Sequence, residues 1–318
     1  MLHFDATAVQ LALPWGRLIP ALRQAFIQGC TVPARHSHAI GPQGTALLMP
    51  AWREGGCLGV KTVTIFPGNG ALGLPGVHAI YTLFSATTGV PLAVMDGSEL
   101  TARRTAAASA LAASLLARRD AQRLVLVGAG RVSALVPGAL RAVLPSLQQV
   151  QVWTRHPPAA EALALKLQAQ GFDAVATADL QGAVQQAHIV SCATMATQAL
   201  VQGAWLQPGA HLDLIGSFTP AMREADGACF ARSRVFVDTE EALAKAGDVL
   251  QAIAEGAFTA PALQGTLATL CLSPGTVNLQ GRRTPQEITL FKSVGTALED
   301  LAAAELVLAA ADNPPSSA

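Results

Sequence analysis

The sequence predicts an α/β fold: a parallel, doubly wound sheet joined to a second domain of mixed α and β structure. Three observations carry this. Strand-like runs at 124–127, 150–153, 173–176, 188–192, 211–215 and 234–238 recur with helical segments between them, the alternation that a parallel sheet with crossover helices requires. The first run ends in Gly128-Ala-Gly130-Arg131-Val132-Ser133, after which residues 134–144 have helical composition. Residues 31–95 differ in texture, with short strand-like segments at Thr45–Met49, Gly59–Ile65 and Ile80–Phe84 separated by Gly/Pro turns. A length of 318 residues suits two domains.

The elements follow in order. Residues 1–30 read as an N-terminal helix, with Leu18, Leu22, Ala25 and Phe26 at helical spacing. The loop from Phe66 to Gly76 is rich in turn residues and long for a strand connection, so it is expected to cover a site. An alanine-rich helix from Leu100 to Leu116 leads into the glycine turn, and a last helix is expected from about Thr289 to Ala311. Its start, Ile288 to Gly295, is apolar enough to return to the first domain, and Asn313–Ala318 reads as a frayed tail.

Composition bounds the function. Hydrophobic residues make up 51% and charged residues 13%, ample for a large core. With 21 basic and 21 acidic residues the formal charge is zero, which argues against nucleic acid or an anionic membrane surface as partner. Residues Met1 to Asp5 lack a basic, then apolar, leader pattern, and the most apolar helical run, Thr105–Ala117, is too short to span a bilayer. The five cysteines (30, 57, 192, 229 and 271) are scattered without a C-x-x-C pair. That spacing fits a reducing cytoplasm and neither a disulfide framework nor a metal site. No G-x-S-x-G, HExxH or GxxxxGK[ST] pattern occurs, so serine hydrolase, zinc protease and P-loop chemistry are set aside.

The strand–glycine–helix layout is the one that cradles a dinucleotide pyrophosphate. Gly128 allows the turn, Gly130 lets the backbone approach the phosphates, and Ser133 is small enough to replace a third glycine; Arg131 and Val132 complete the first helical turn. The second strand, Val150 to Trp153, is followed by Thr154 and Arg155, and no Asp or Glu occurs from Ala121 to Ala160. A carboxylate here would bind the ribose hydroxyls of NAD and repel the 2′-phosphate of NADP, which Arg155 and Thr154 would attract. NADP(H) is therefore the expected cofactor and NAD(H) the second choice; the alternative is that Arg155 is an ordinary solvated loop arginine.

Three cations stand out upstream. Lys61 lies mid-strand among apolar neighbours, where it needs a partner or a wet pocket unless the strand is a solvated edge. Arg104 opens the alanine helix against the macrodipole, which suggests a task such as forking a carboxylate, whereas Arg103 is expected to face solvent. Arg35 follows a proline, Pro33. His78 reads as either a structural histidine or a proton donor.

These pieces resemble the ornithine cyclodeaminase/μ-crystallin family over nearly the whole chain. The resemblance is carried by Leu48-Met-Pro50, Gly59-Val-Lys-Thr62, Leu100 to Ala107, the Val127–Ser133 turn, Val237-Asp-Thr239 with Gly247-Asp248, and Ile288 to Gly295. It implies a Rossmann domain, 113–288, inserted into an α+β substrate and dimerisation domain built from 1–112 and 289–318, and a homodimer. It implies that Arg35, Lys61 and Arg104 hold a substrate carboxylate, with Lys61 the candidate catalytic side chain. Gly128, Gly130 and Ser133 would take the pyrophosphate, Thr154 and Arg155 the adenosine ribose or its phosphate, and Ser293 and Gly295 the nicotinamide side. No metal is implied.

One departure matters. Ornithine cyclodeaminases carry an aspartate where this chain has Phe218, and phenylalanine cannot handle a δ-amino group. Glu224 and Asp226 could substitute only if they pointed to the strand end, and both are expected in a helix pointing away. The resemblance then implies NAD(P)H-dependent reduction of a cyclic imino acid, Δ1-pyrroline-2-carboxylate or Δ1-piperideine-2-carboxylate, to proline or pipecolate. The iminium would take its proton from solvent, Lys61 or His78. The alternatives are an ornithine cyclodeaminase or alanine-dehydrogenase-like enzyme, and a crystallin-like protein that binds NADPH or a small ligand without turnover.

Overall fold

The computed structural model describes residues 1–272 and 281–312, so the tail Asn313–Ala318 lies outside the described residues. The chain divides into two compact units, residues 1–104 with the segment from Thr296 onward, and residues 105–295.

The first unit opens with β1 (Leu2–Phe4), α1 (Ala6–Ala12) and α2 (Trp15–Gln28). The single N-terminal helix expected from the sequence is split. Asp5 caps α1 by accepting the Ala8 N–H, and Pro14, extended at ψ 147°, ends that helix and caps the next. Then come β2 (His36–Ile40), β3 (Gly44–Trp52), β4 (Cys57–Ile65), β5 (Val77–Ser85) and β6 (Pro91–Asp96), followed by α3 (Gly97–Leu116), which passes into the second unit at Thr105. The sheet order is β1-β6-β5-β4-β3-β2, antiparallel from β2 to β6 with β1 parallel to β6. Strand alternation puts Met49, Ala51, Lys61, Val63, Tyr81, Leu83, Ala93 and Met95 on the buried face. On the opposite face Leu48 and Ile80 remain 36% and 55% exposed. The turn-rich loop forms a short 3₁₀ helix, Pro67–Leu72, with Leu72 and Leu74 exposed.

The second unit holds an all-parallel, eight-stranded sheet. Its strands and helices are β7 (Arg123–Val127), α4 (Arg131–Val143), β8 (Gln149–Trp153), α5 (Pro157–Ala169), β9 (Asp173–Ala176), α6 (Leu180–Gln186), β10 (Ile189–Cys192), β11 (Thr197–Val201), β12 (His211–Leu214), β13 (Arg223–Ala225), α7 (Gly227–Ala231), β14 (Ser233–Val237), α8 (Ala242–Lys245), α9 (Gly247–Ala254), β15 (Gly265–Thr266), α10 (Leu267–Leu272) and β16 (Ile288–Lys292). The order β15-β14-β16-β12-β10-β7-β8-β9 reverses direction between β7 and β10, and β11 pairs with β13 separately. The reversal is a topological switch point, where open α/β sheets bind ligands beyond the carboxyl ends of their strands.

One sequence expectation fails here. Ile288–Lys292 is not the start of the last helix but a central strand between β12 and β14, and α11 begins only at Ala297 and runs to Asp312. All five residues of β16 are buried. A strand covered on both faces shows a continuous apolar run with no period of two, which reads like helix. α11 packs within the first unit against α2, β3 and β4.

The two faces of the parallel sheet differ. Val125, Val127, Val190, Leu212, Leu214, Val237 and Leu290 build an apolar core. On the other face of β12, buried Asp213 accepts hydrogen bonds from Ser109 Oγ (3.1 Å) and Ser191 Oγ (2.6 Å). Burial pushes its carboxyl from 3.8 up to about 6, against the two hydroxyls. The folded state thus holds this proton more tightly than the unfolded one. Burying the ionised form costs on the order of 3 kcal/mol above pH 6, a penalty that fades as pH falls toward the unfolded value. Asp213→Asn carries no such penalty. The melting-temperature difference, variant minus wild type, should therefore be largest near pH 7.5 and shrink steadily toward pH 4.5. A difference that stays constant over this range would show that Asp213 does not titrate there.

Candidate active site

Beyond the carboxyl end of β7 the chain turns at Gly128, whose φ of +115° suits glycine alone, since a Cβ would lie 2.7 Å from the Ala193 carbonyl oxygen. The Gly128 N–H donates to Trp153 O at 2.8 Å, which ties the turn to the end of β8, immediately before Thr154 and Arg155. Gly130 is the N-cap of α4 and offers no side-chain cap. A Cβ there would meet nothing within 4 Å. The first-turn N–H groups and the open space above Gly130 suit an anion at a helix N-terminus, so the residues present fit a dinucleotide pyrophosphate. Arg131 and Arg155 are exposed beside this opening, and Val132 and Thr154 are half-buried. Ser133 is buried, with a hydroxyl that has no hydrogen-bond partner.

The neighbouring strand ends are stitched by carboxylates that sequence reading missed or misplaced. Glu224, expected on a helix, lies on β13 with its side chain fully buried. It accepts from Thr194 N (2.7 Å), Thr194 Oγ1 (2.8 Å) and Gly216 N (2.7 Å). Asp226 is not inside a helix either: it is the N-cap of α7, accepting from Cys229 N and Gly203 N. Asp238, following β14, accepts from Thr239 N, Val294 N and Gly295 N. Ser293, just before that turn, is buried and donates its N–H to Leu214 O. Phe218 is half-buried, its ring against the apolar core.

The first unit holds a second charged centre. Lys61 is 2% exposed, so it is not a solvated edge residue, and its Nζ lies 2.6 Å from Asp300 Oδ2. Arg104 does not open its helix, since α3 begins at Gly97 and places it past the first turn, but it does fork carboxylates, those of its own chain: Nε meets Asp300 Oδ1 at 2.8 Å and Nη1 meets Glu299 Oε2 at 2.6 Å. Burial pushes the Lys61 ammonium down to about 8, against the pull of Asp300. Burial works to raise the Asp300 carboxyl, but Arg104 and Lys61 together outweigh it and hold it below its ordinary value. The expectation that Arg103 faces solvent fails. It is 8% exposed, bonded to Glu99 and to Leu13 O, with its guanidinium 5.0 Å from the Trp15 ring centroid. Arg35 is half-buried just before β2, and His78 is exposed. The structure therefore gathers Lys61 and Arg104 around Asp300, and gathers Gly128, Gly130, Ser133, Thr154 and Arg155 around one turn.

A model of the ornithine cyclodeaminase/mu-crystallin family matches residues 17–313. The chain belongs to this family. A Δ1-pyrroline-2-carboxylate reductase of Paracoccus denitrificans is 43% identical over 307 residues, covering 95% of this chain and 94% of the relative. The structure of Thermococcus litoralis Δ1-pyrroline-2-carboxylate reductase in complex with NADH and L-proline matches with a TM-score of 0.92 at 30% identity, covering 98% of each chain. An archaeal alanine dehydrogenase dimer with bound NAD matches with a TM-score of 0.90 at 27% identity, covering 100% of this chain and 98% of that one. The expected family and the Rossmann-type α/β fold are both borne out.

Asp300 is the shared anion of the buried cluster, and removing one partner of such a pair leaves charge uncompensated. Asp300→Asn should lower the unfolding free energy by about 3–5 kcal/mol in urea denaturation, and adding Lys61→Met to that variant should restore part of the loss. A loss under about 1 kcal/mol would mean that the pairs are as weak as surface ones.

Proposed function

We propose that this protein reduces a small cyclic imino acid, Δ1-pyrroline-2-carboxylate or its six-membered homologue Δ1-piperideine-2-carboxylate, to proline or pipecolate with a nicotinamide cofactor. When bound, the cofactor supplies the hydride that reaches the C=N carbon. The reading is supported by relatives named for this reaction, and one local observation carries it over the cyclodeaminase alternative. In the segment 216–226, where cyclodeaminases are expected to place an acid, this chain has Phe218. The segment's two acids are both committed, Glu224 to three donors and Asp226 to two backbone N–H groups. Both oxygens of Glu224 are engaged and Asp226 is turned to the N-terminus of α7, so position 218 itself offers no acid to a second substrate ammonium, whose burial without a partner is costly.

Arg35, Lys61 and Arg104 are proposed to hold the substrate carboxylate. Of the three proton sources considered, Lys61 is the one whose environment tunes it: at neutral pH it is mostly charged, yet it releases its proton more readily than an exposed lysine. Arg155 and Thr154 are proposed to read the adenosine 2′-phosphate, favouring NADP(H) over NAD(H). A homodimer is proposed through the open face of the six-stranded sheet, where Ile40, Leu48 and Ile80 are exposed. The neighbouring alanine dehydrogenase is described as a dimer. Among the described residues no helix is long and apolar enough to cross a membrane. The free cysteines suit a reducing compartment such as the cytoplasm.

The purified protein should oxidise NADPH with Δ1-pyrroline-2-carboxylate and release negligible ammonia from ornithine. Robust conversion of ornithine to proline would return the assignment to a cyclodeaminase, and no turnover of any cyclic imino acid would leave a binding protein. In the active enzyme kcat/KM should fall as pH rises through about 8, where Lys61 loses its proton, and Lys61→Arg should abolish that limb of the profile. Arg155→Asp should cost one charge-assisted contact, roughly 1.5–3 kcal/mol, or about ten- to a hundredfold in kcat/KM with NADPH, and leave NADH almost untouched. Equal wild-type kcat/KM for the two cofactors would refute the NADP(H) preference.

A further inference from the structure

A dinucleotide bound at the switch point spreads over two mononucleotide-binding halves. The pyrophosphate belongs at Gly128 and the adenosine half beside β8, where Thr154 and Arg155 lie, so the nicotinamide half falls on the β10, β12 and β16 side. The loops leaving β10 and β12, at Thr194 and Gly216, form the floor of that side, and Glu224 joins them.

We propose that Glu224 is a positioning residue for the nicotinamide half of the cofactor, its carboxylate bracing the loops after β10 and β12 into one surface under the ring. The proposal rests on the nicotinamide-dependent reading above. Oε1 takes both the N–H and the hydroxyl of Thr194, and Oε2 takes the N–H of Gly216. The two loops are in close approach: a Cβ on Gly216 would lie 2.0 Å from Thr194 O and 2.4 Å from Glu224 Oε1.

Glu224 is itself held. Its N–H and that of Ala225 donate to Asp248 Oδ1 at 2.7 and 3.0 Å, and the Asp248 N–H donates to Ser217 Oγ in the β12 loop. Gly247, at the head of α9, cannot carry a side chain, because a Cβ would stand 2.0 Å from Met222 O. Lys292, the last residue of β16, points its buried Nζ to within 3.6 Å of Asp248 Oδ2 and has no hydrogen-bond partner. Through Asp248 and Lys292 the brace therefore spans the carboxyl ends of three adjacent strands. Among the described residues no bond of this network reaches the Gly128 turn or Thr154 and Arg155, so loosening it should disturb one half of the cofactor and spare the other.

ADP-ribose, which lacks the nicotinamide ring, separates the two halves. For Glu224→Gln, which keeps one acceptor oxygen, the Kd for NAD(P)H should rise by about tenfold or more, while that for ADP-ribose or its 2′-phosphate stays within about twofold of wild type. Thr194→Val, which removes only the hydroxyl arm, should show a smaller selective loss, and Thr194→Ser should behave as wild type. These titrations need no turnover, and Thr194→Val gives the answer if Glu224→Gln does not fold. Equal weakening of both ligands, or of neither, in a variant that keeps a cooperative thermal transition overturns the proposal and leaves Glu224 a purely structural acid. A wild-type protein that binds ADP-ribose but not NAD(P)H overturns the nicotinamide reading and, with it, this one.

Discussion

At the carboxyl edge of a parallel sheet, backbone N–H groups leave the ladder with no next strand to receive them. If such an edge is buried, every one of those donors must find an acceptor. Here buried carboxylates meet that constraint. Glu224 serves the exits of β10 and β12, Asp248 serves β13, and Asp238 serves the exit of β16 and its own neighbour Thr239. The switch-point edge of the domain is thus built on three acids whose work is internal, and the glycines at 216 and 247 stand where the stitched loops come too close for a Cβ.

The two charged centres resolve the same conflict in opposite directions. In the first unit Asp300 touches two cations, Lys61 and Arg104, and their attraction exceeds the penalty of burial, so its carboxyl is held low. In the second unit Glu224 gains most of its bonds from neutral donors and shares one lysine with Asp248. There burial wins, and its carboxyl is pushed up to about 7. Lys61 shows the reverse side of that competition: with one carboxylate against it and Arg104 nearby, burial still prevails and brings the ammonium down to about 8. A group poised near neutrality by its own fold is suited to proton traffic, whereas Asp300, held ionised, is suited to positioning.

What could be read from the sequence was what is local. The glycine turn is a contiguous run whose residue types state its backbone demands, and the alternation of strand and helix needs only short windows. Lys61 could be flagged because a charge in an apolar setting implies a partner, and Arg104 because a cation near a helix start opposes the macrodipole, but their partners lie far along the chain, Asp300 being 196 positions beyond Arg104. The same signal was available on the other side. Glu299 and Asp300 stand in the first turn of the alanine- and leucine-rich helix α11, fully buried, and two buried acids side by side imply cations to meet them. Glu224 carried no comparable signal, since its neighbours Met222 and Arg223 gave no periodicity and its strand is three residues long. β16 was misread because burial on both faces erases the alternation by which strands are recognised.

Charge balance sets terms for the proposed substrate. The first-unit centre holds two cations, Lys61 and Arg104, against two carboxylates, Glu299 and Asp300, and is neutral as it stands. A substrate monoanion becomes stable there only with a further cation, the role proposed for Arg35, or by drawing Lys61 and Arg104 partly away from their internal acids. A second carboxylate on the substrate would have no counter-charge from this set. That exclusion points to a substrate with a single carboxylate. It follows from a centre whose buried acids are already matched by its own cations.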